Sequence, residues 1–242
     1  MMDRAVNPQI LRRYSLALTP HGRLWLRLRA ELEYLVWRWL LASGSVTKRG
    51  LDIALSATAL LFLTPLFILI ALLIKIEDRG PVFFIQTRVG QFGREFRMFK
   101  FRSMCRNAEQ RLKELLAKNQ HAQGVTFKLK KDPRITLVGR WLRKFSLDEL
   151  PQFINVLTGD MSLVGPRPPV PREVALYSQS DRRRLAVKPG ITCLWQVSGR
   201  AEIDFSGQVR LDVQYIESQR TSTDLRILVK TVPAVIPGRG AC

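Results

Sequence analysis

Two adjacent carboxylates, Asp148 and Glu149, lie in the stretch Ser146–Pro168, SLDELPQFINVLTGDMSLVGPRP. Arg140, Arg143 and Lys144 stand just upstream, and Arg167 closes the stretch. That mixture suits phosphate chemistry, in which a carboxylate attacks phosphorus or holds a metal while guanidinium groups absorb phosphoryl charge. A local reading competes with it. Ser146 and Glu149 have the Ser-x-x-Glu spacing of a capping box, and on the pair alone capping is the simpler account. Proline is comfortable only in the first turn of a helix, so Pro151 predicts a helix whose first turn includes Asp148–Pro151. Both carboxylates would then sit near its positive end, where a phosphate or its metal also binds.

The elements that must position this pair begin with a membrane segment. Ile53–Ile74 carries no charge between Asp52 and Lys75, and about 22 helical residues at about 1.5 Å each are enough to cross a bilayer core. Pro65, after Thr64, removes a backbone donor at its middle and frees the carbonyl of Leu61, for which the Thr64 hydroxyl is a candidate partner. Both flanks are basic, with Lys48 and Arg49 before and Lys75 and Arg79 after, so a simple crossing would put one basic flank on the wrong side. A helix that breaks at Thr64–Pro65 and returns keeps both on one side; a kinked spanning helix is the competing geometry. Leu24–Leu41 interleaves Arg with Trp25, Trp37 and Trp39, which suits a helix in the headgroup region, with a soluble packing helix as the alternative.

Composition narrows the partners. Lys and Arg number 39 against 20 Asp and Glu, a formal charge of +19, which attracts polyanions: nucleic acid, anionic lipid or phosphorylated substrates. With only two histidines, His21 and His121, in unlike contexts, a His-based triad or His-rich metal site is not expected. The scattered Cys105, Cys193 and Cys242 suggest reduced thiols. Beyond the membrane segment, Pro81–Gln86 and Glu95–Phe101 around Gly90 and Gly93 predict a hairpin. Helices are expected over Asn107–Asn119, Leu137–Phe145, Val209–Ser218 and Asp224–Ile236, with a loop over Gly124–Lys131 and a turn at Lys188–Gly190. Arg182–Arg184 reads as a solvated or lipid-facing patch.

Taken in order, KRGLDIALS, the Thr-Pro of the apolar segment, GPVFFIQTRVGQFGREFRMFKFRSM, DPRITLVGRWLRKFSLDELPQFINVLTGDMSLVGPRP and KPGITCLWQVSGR resemble the bacterial sugar transferases that begin polysaccharide assembly, the monotopic polyprenyl-phosphate phosphoglycosyl transferases. The similarity runs from about Lys48 to Cys242. It implies an α+β monotopic membrane protein of the bacterial cytoplasmic membrane: an N-terminal extension over 1–47 with an interfacial helix, a re-entrant, proline-broken membrane helix over 48–79, and a cytoplasmic catalytic body over 80–242 with a small β-hairpin and amphipathic interfacial helices. It also implies a two-step transfer of sugar-1-phosphate from a UDP-sugar to a polyprenyl phosphate such as undecaprenyl phosphate, with release of UMP. Asp148 would be the nucleophile and Glu149 the partner of Mg²⁺. Arg143 and Arg167 would contact the phosphates or nucleotide, Lys100 would lie near the site, and Arg102 would be structural. Anionic lipid is an expected partner, a homo-oligomer is compatible, and nucleic acid is not expected because the apolar segment has no place in such a role. The chain departs from larger members, whose several spanning helices cannot fit in about 47 N-terminal residues, and carries Thr where Ser more often precedes the membrane proline. A catalytically silent membrane scaffold is the alternative function. No motif discriminates glucose, galactose and N-acetylated sugars.

Overall fold

The computed structural model describes residues 17–108, 110–111, 132–199 and 203–235, with backbone alone for 35–44 and 235. The loop expected over 124–131, most of the helix expected over 107–119 and the side chains of Trp37 and Trp39 lie outside the described residues. The chain forms two compact units, Met1–Lys48 and Arg49–Cys242.

One long helix, α1, runs Pro20–Asp78. It starts where Thr19 Oγ1 accepts from Gly22 N at 3.0 Å, with Pro20 in the first position, where its missing N–H is no loss. In the first unit Leu24, Trp25, Leu28, Leu32 and Tyr34 are exposed. Arg29 lies over the Trp25 ring at 5.5 Å and pairs with Glu33 at 2.8 Å.

In the second unit, the part of α1 that is long and apolar enough for a membrane lies within Ser45–Asp78. Asp52 and Ser56 are buried against the body, Leu61 and Phe62 are 73% and 76% exposed, and Ile70 and Ile74 are buried again. The apolar segment therefore leaves the body and comes back to it, which is the re-entrant, monotopic course. Pro65 lies inside the helix. The Thr64 hydroxyl donates to Leu60 O at 2.8 Å, one carbonyl before the one Pro65 frees, and such back-bonding by Thr favours a bend.

The body is α+β. β1 (Phe83–Val89) and β2 (Glu95–Phe101) form the expected antiparallel hairpin, Val89 opposite Glu95 and Phe83 opposite Phe101. Two left-handed residues make the turn, Phe92 at φ +56 and Gly93 at φ +82, the latter a conformation glycine adopts without strain. There follow α2 (Leu137–Lys144), a 3₁₀ turn at Leu147–Glu149, α3 (Gln152–Thr158), β3 (Ser162–Val164), α4 (Pro171–Ala175), a 3₁₀ turn at Asp181–Leu185, β4 (Gly190–Thr192), α5 (Phe205–Glu217) and α6 (Thr221–Val235). Sequence patterning misses α4 and both strands of the second sheet, in which residues 190–192 after the expected turn run parallel to β3. A three-residue strand is too short to show a period of two. A Cβ on Gly190 would come within 2.1 Å of Gly165 N, so this crossing requires glycine.

β2 joins two apolar cores. Phe96 and Met98 pack with Val156, Met161, Leu163, Val164, Tyr215 and Ile227. Phe101 packs with Ile70, Ile74 and Leu142, its ring edge-on to Phe67 at 5.0 Å. Full burial of such side chains is worth about 1.5–3 kcal/mol each, so Phe101 ties the returning arm of α1 to the hairpin. Arg102 pairs with Asp78 at 3.1 Å, in keeping with a structural role. Arg184 overturns the solvated reading of Arg182–Arg184: it is 4% exposed and ion-paired with Asp212. Arg182 and Arg183 stay exposed as expected, Arg183 with its exposed partner Glu217 at 2.6 Å.

Candidate active site

The turn carrying the two carboxylates is made by an unusual residue. Ser146 adopts φ 55, ψ 23 and makes no side-chain cap. A non-glycine residue in the left-handed region costs about 1–2 kcal/mol and reverses the chain sharply between α2 and the Leu147–Glu149 turn. The capping box is therefore not formed. Glu149 N donates to Ser146 O at 3.2 Å, but the Glu149 side chain turns away, to Lys100. Pro151 stands immediately before α3, so the carboxylates precede that helix in their own 3₁₀ turn.

The hairpin register builds the other wall. Residues directly opposite in an antiparallel pair share a face. Gln86 faces Met98 and Arg88 faces Phe96, and alternation adds Lys100 to that face. Lys100 Nζ reaches Glu149 Oε1 at 2.7 Å, both side chains largely buried. Arg88, also buried, donates through Nη1 to Pro168 O at 2.8 Å, and through Nη2 to Gln86 Oε1 at 2.7 Å. Val89 N donates to Pro169 O at 2.9 Å. The end of β1 thus clamps the 165–169 loop and holds Arg167 at the pocket. Arg88, Lys100, Glu149, Gln152, Arg167 and Gln196 line this pocket.

Electrostatics separate the two carboxylates. Burial pushes Glu149 up, but Lys100, Arg167 and Arg88 outweigh it and hold the group at about 2, ionised throughout the physiological range. Asp148 is 7% exposed; burial and then the Glu149 charge raise its pKa, against the opposing pull of Lys100 and Arg143. Burial, with Arg167 alongside, lowers Arg88 to about 10, which still leaves it charged at neutral pH. Three cations face one pocket carboxylate, and the two-charge excess is arranged for an anion.

Of the residues singled out from sequence, Lys100, Glu149 and Arg167 meet around the pocket. Asp148 is buried beside them and is not among the lining residues, while Arg143, at the end of α2, lies near enough to Asp148 to favour its ionised form. Thr64 and Pro65 stand apart, in the membrane helix. Arg88, Gln152 and Gln196 were not singled out as site residues. Arg88 was legible in principle, because the hairpin register places it on the face of Lys100; Gln196 was not, since only the β3–β4 pairing brings its segment to the pocket. As for a metal, magnesium takes one or two carboxylates with substrate phosphates and water, and Asp148–Glu149 fits that donor set. Among the described residues no group of three or more His, Cys, Asp or Glu could form a closed cage.

Comparison with known proteins adds a second line. The profile of the family described as bacterial sugar transferase matches residues 43–238. The chain is 50% identical over 200 residues to the galactosyl transferase CpsE of Streptococcus agalactiae, covering 82% of this chain and 44% of that protein. It is 42% identical over 201 residues to the exopolysaccharide production protein ExoY of Sinorhizobium fredii, covering 82% and 89%. It is 46% identical over 202 residues to the undecaprenyl-phosphate galactose phosphotransferase of Salmonella typhimurium, covering 82% and 42%. The chain thus spans nearly all of ExoY but less than half of the other two.

Proposed function

The chain belongs to the bacterial sugar transferase family, and from that premise we propose that it transfers a sugar-1-phosphate from a UDP-sugar to a polyprenyl phosphate on the cytoplasmic face of the bacterial membrane, releasing UMP. The observation that carries this reading is the juxtaposition of a buried carboxylate, Asp148, with a pocket of three cations around Glu149. The diphosphate would lie against Arg88, Lys100 and Arg167, with Arg143 completing the charge next to Asp148.

An Asp148 oxygen attacks the β-phosphorus, the bond from that phosphorus to the bridging oxygen breaks, and UMP leaves with the electron pair. The product is a sugar-phosphoryl aspartate. A phosphate oxygen of the polyprenyl phosphate then attacks the same phosphorus and returns the carboxylate. Covalent catalysis of this kind replaces one hard displacement with two easier ones. Asp148 must be anionic to attack, and Lys100 and Arg143 oppose the burial that would keep it protonated. Glu149 would hold Mg²⁺, which supplies neutralisation of diphosphate charge when bound.

Purified protein in lipid nanodiscs, incubated with Mg²⁺, undecaprenyl phosphate and a panel of UDP-sugars, is expected to release UMP with at least one of them. Asp148→Asn is expected to abolish release, since the amide cannot serve as nucleophile. UMP release by Asp148→Asn at the parent rate removes Asp148 from this role. A parent inert towards every sugar favours the silent scaffold.

A further inference from the structure

Both arms of the membrane helix end on the helices that flank the Asp148–Glu149 turn. On the entering arm, Arg49 donates from Nη1 to Val156 O and from Nη2 to Leu157 O, at 2.5 and 2.8 Å. These are carbonyls of the last turn of α3. On the returning arm, Glu77 Oε1 accepts from Leu137 N at 2.7 Å and Val138 N at 3.2 Å. These are the first two amides of α2, and Thr136 Oγ1 takes the third, from Gly139 N, at 3.0 Å. The first amides and last carbonyls of a helix lack intrahelical partners. A carboxylate at the one end and a guanidinium at the other also match the helix dipole. The membrane helix thus supplies the matching charge at the far end of each helix, and the reacting turn hangs between their near ends.

We infer that Arg49 and Glu77 are positioning residues: they hold α2 and α3 at the separation that aims Asp148, and through them the bend of the membrane helix sets the geometry of the reacting turn. This rests on the reading of Asp148 as nucleophile. The pocket cations do not depend on the Arg49 and Glu77 contacts, because the hairpin is tied to the returning arm separately, through Phe101 and Arg102. Arg88 and Lys100 lie on the hairpin, and Arg167 is held by the clamp between β1 and the 165–169 loop. Loss of either anchor should therefore impair chemistry and spare nucleotide binding.

The test measures UMP release and UDP affinity for the same variants in bilayer nanodiscs. Glu77→Ala is expected to lower kcat by about tenfold or more, the scale on which small misplacements act. Its Kd for UDP should stay within about twofold of the parent's, a small margin against that loss. Glu77→Gln, which keeps an acceptor for both amides, is expected to recover most of the loss. Arg49→Lys, with one ammonium for two carbonyls, should show a smaller loss of the same kind. A Glu77→Ala protein with the parent kcat overturns the inference. So does a fall in kcat matched by an equal weakening of UDP binding, which is the signature of general damage. If Glu77→Ala does not accumulate, Arg49→Lys decides by the same two measurements. Failure of the parent itself to release UMP falls on the functional reading, and on this inference only through it.

Discussion

Lys100 is the residue on which the site's charge balance turns. It meets Glu149 directly and is the largest influence lowering the pKa of Asp148. Lys100→Met removes a charge that favours the ionised form of both carboxylates, so both should protonate at higher pH. Because the attacking form of Asp148 is the anion, the acid limb of the kcat/KM profile for UMP release is expected to move to higher pH in Lys100→Met, measured at saturating magnesium. An acid limb that does not move, or moves to lower pH, contradicts this placement of Lys100. The residue types were readable before any fold was known. The capping reading of Ser146 and Glu149 was equally readable and did not survive, because Glu149 has a cation within reach that lies 49 positions away in sequence. A local hydrogen bond worth about 1 kcal/mol gives way to a largely buried, charge-assisted one.

At the scale of elements, the hairpin and α2, α5 and α6 follow from alternation, turn glycines and amphipathic spacing, and the structure places them close to those bounds. The β3–β4 pair and the buried Arg184 were not legible, since both depend on contacts distant in sequence. Arg184 lies in the same run as the exposed Arg183, and nothing local separates them. Only the packing of α5 puts Asp212 opposite one and Glu217 opposite the other. Removing one partner of a buried pair costs about 3–5 kcal/mol, so Asp212→Ala is expected to lower the melting temperature by about 6–20 °C. Arg183→Ala, which breaks the exposed pair, is worth less than about 1 kcal/mol. Thermal unfolding of the two variants side by side checks the contrast, and equal shifts would refute it.

For the whole molecule, the issue is where the two ends of the apolar segment lie. Arg49 and Asp52 on one arm and Glu77 and Asp78 on the other all bond to the same body. Single cysteines at positions 48 and 79, in a background without the native three, are therefore both expected to react only with reagent on the cytoplasmic side. Labelling of position 48 from outside would reject the arrangement. The amino-acid sequence alone determined the chemical inventory: an uncharged stretch long enough for a bilayer, a proline at its middle, a +19 charge, an Asp-Glu pair among cations and the motifs of a family. Those are properties of residue type and local spacing, and short-range patterning carries them. Tertiary structure decided which cations serve the pocket, which carboxylate is held ionised at about 2 and which is raised by burial, and that the membrane helix grips the helices on either side of the Asp-Glu turn. Each depends on charges brought together from segments 12 to 108 positions apart, and desolvation acts on such groups only once the chain has folded around them.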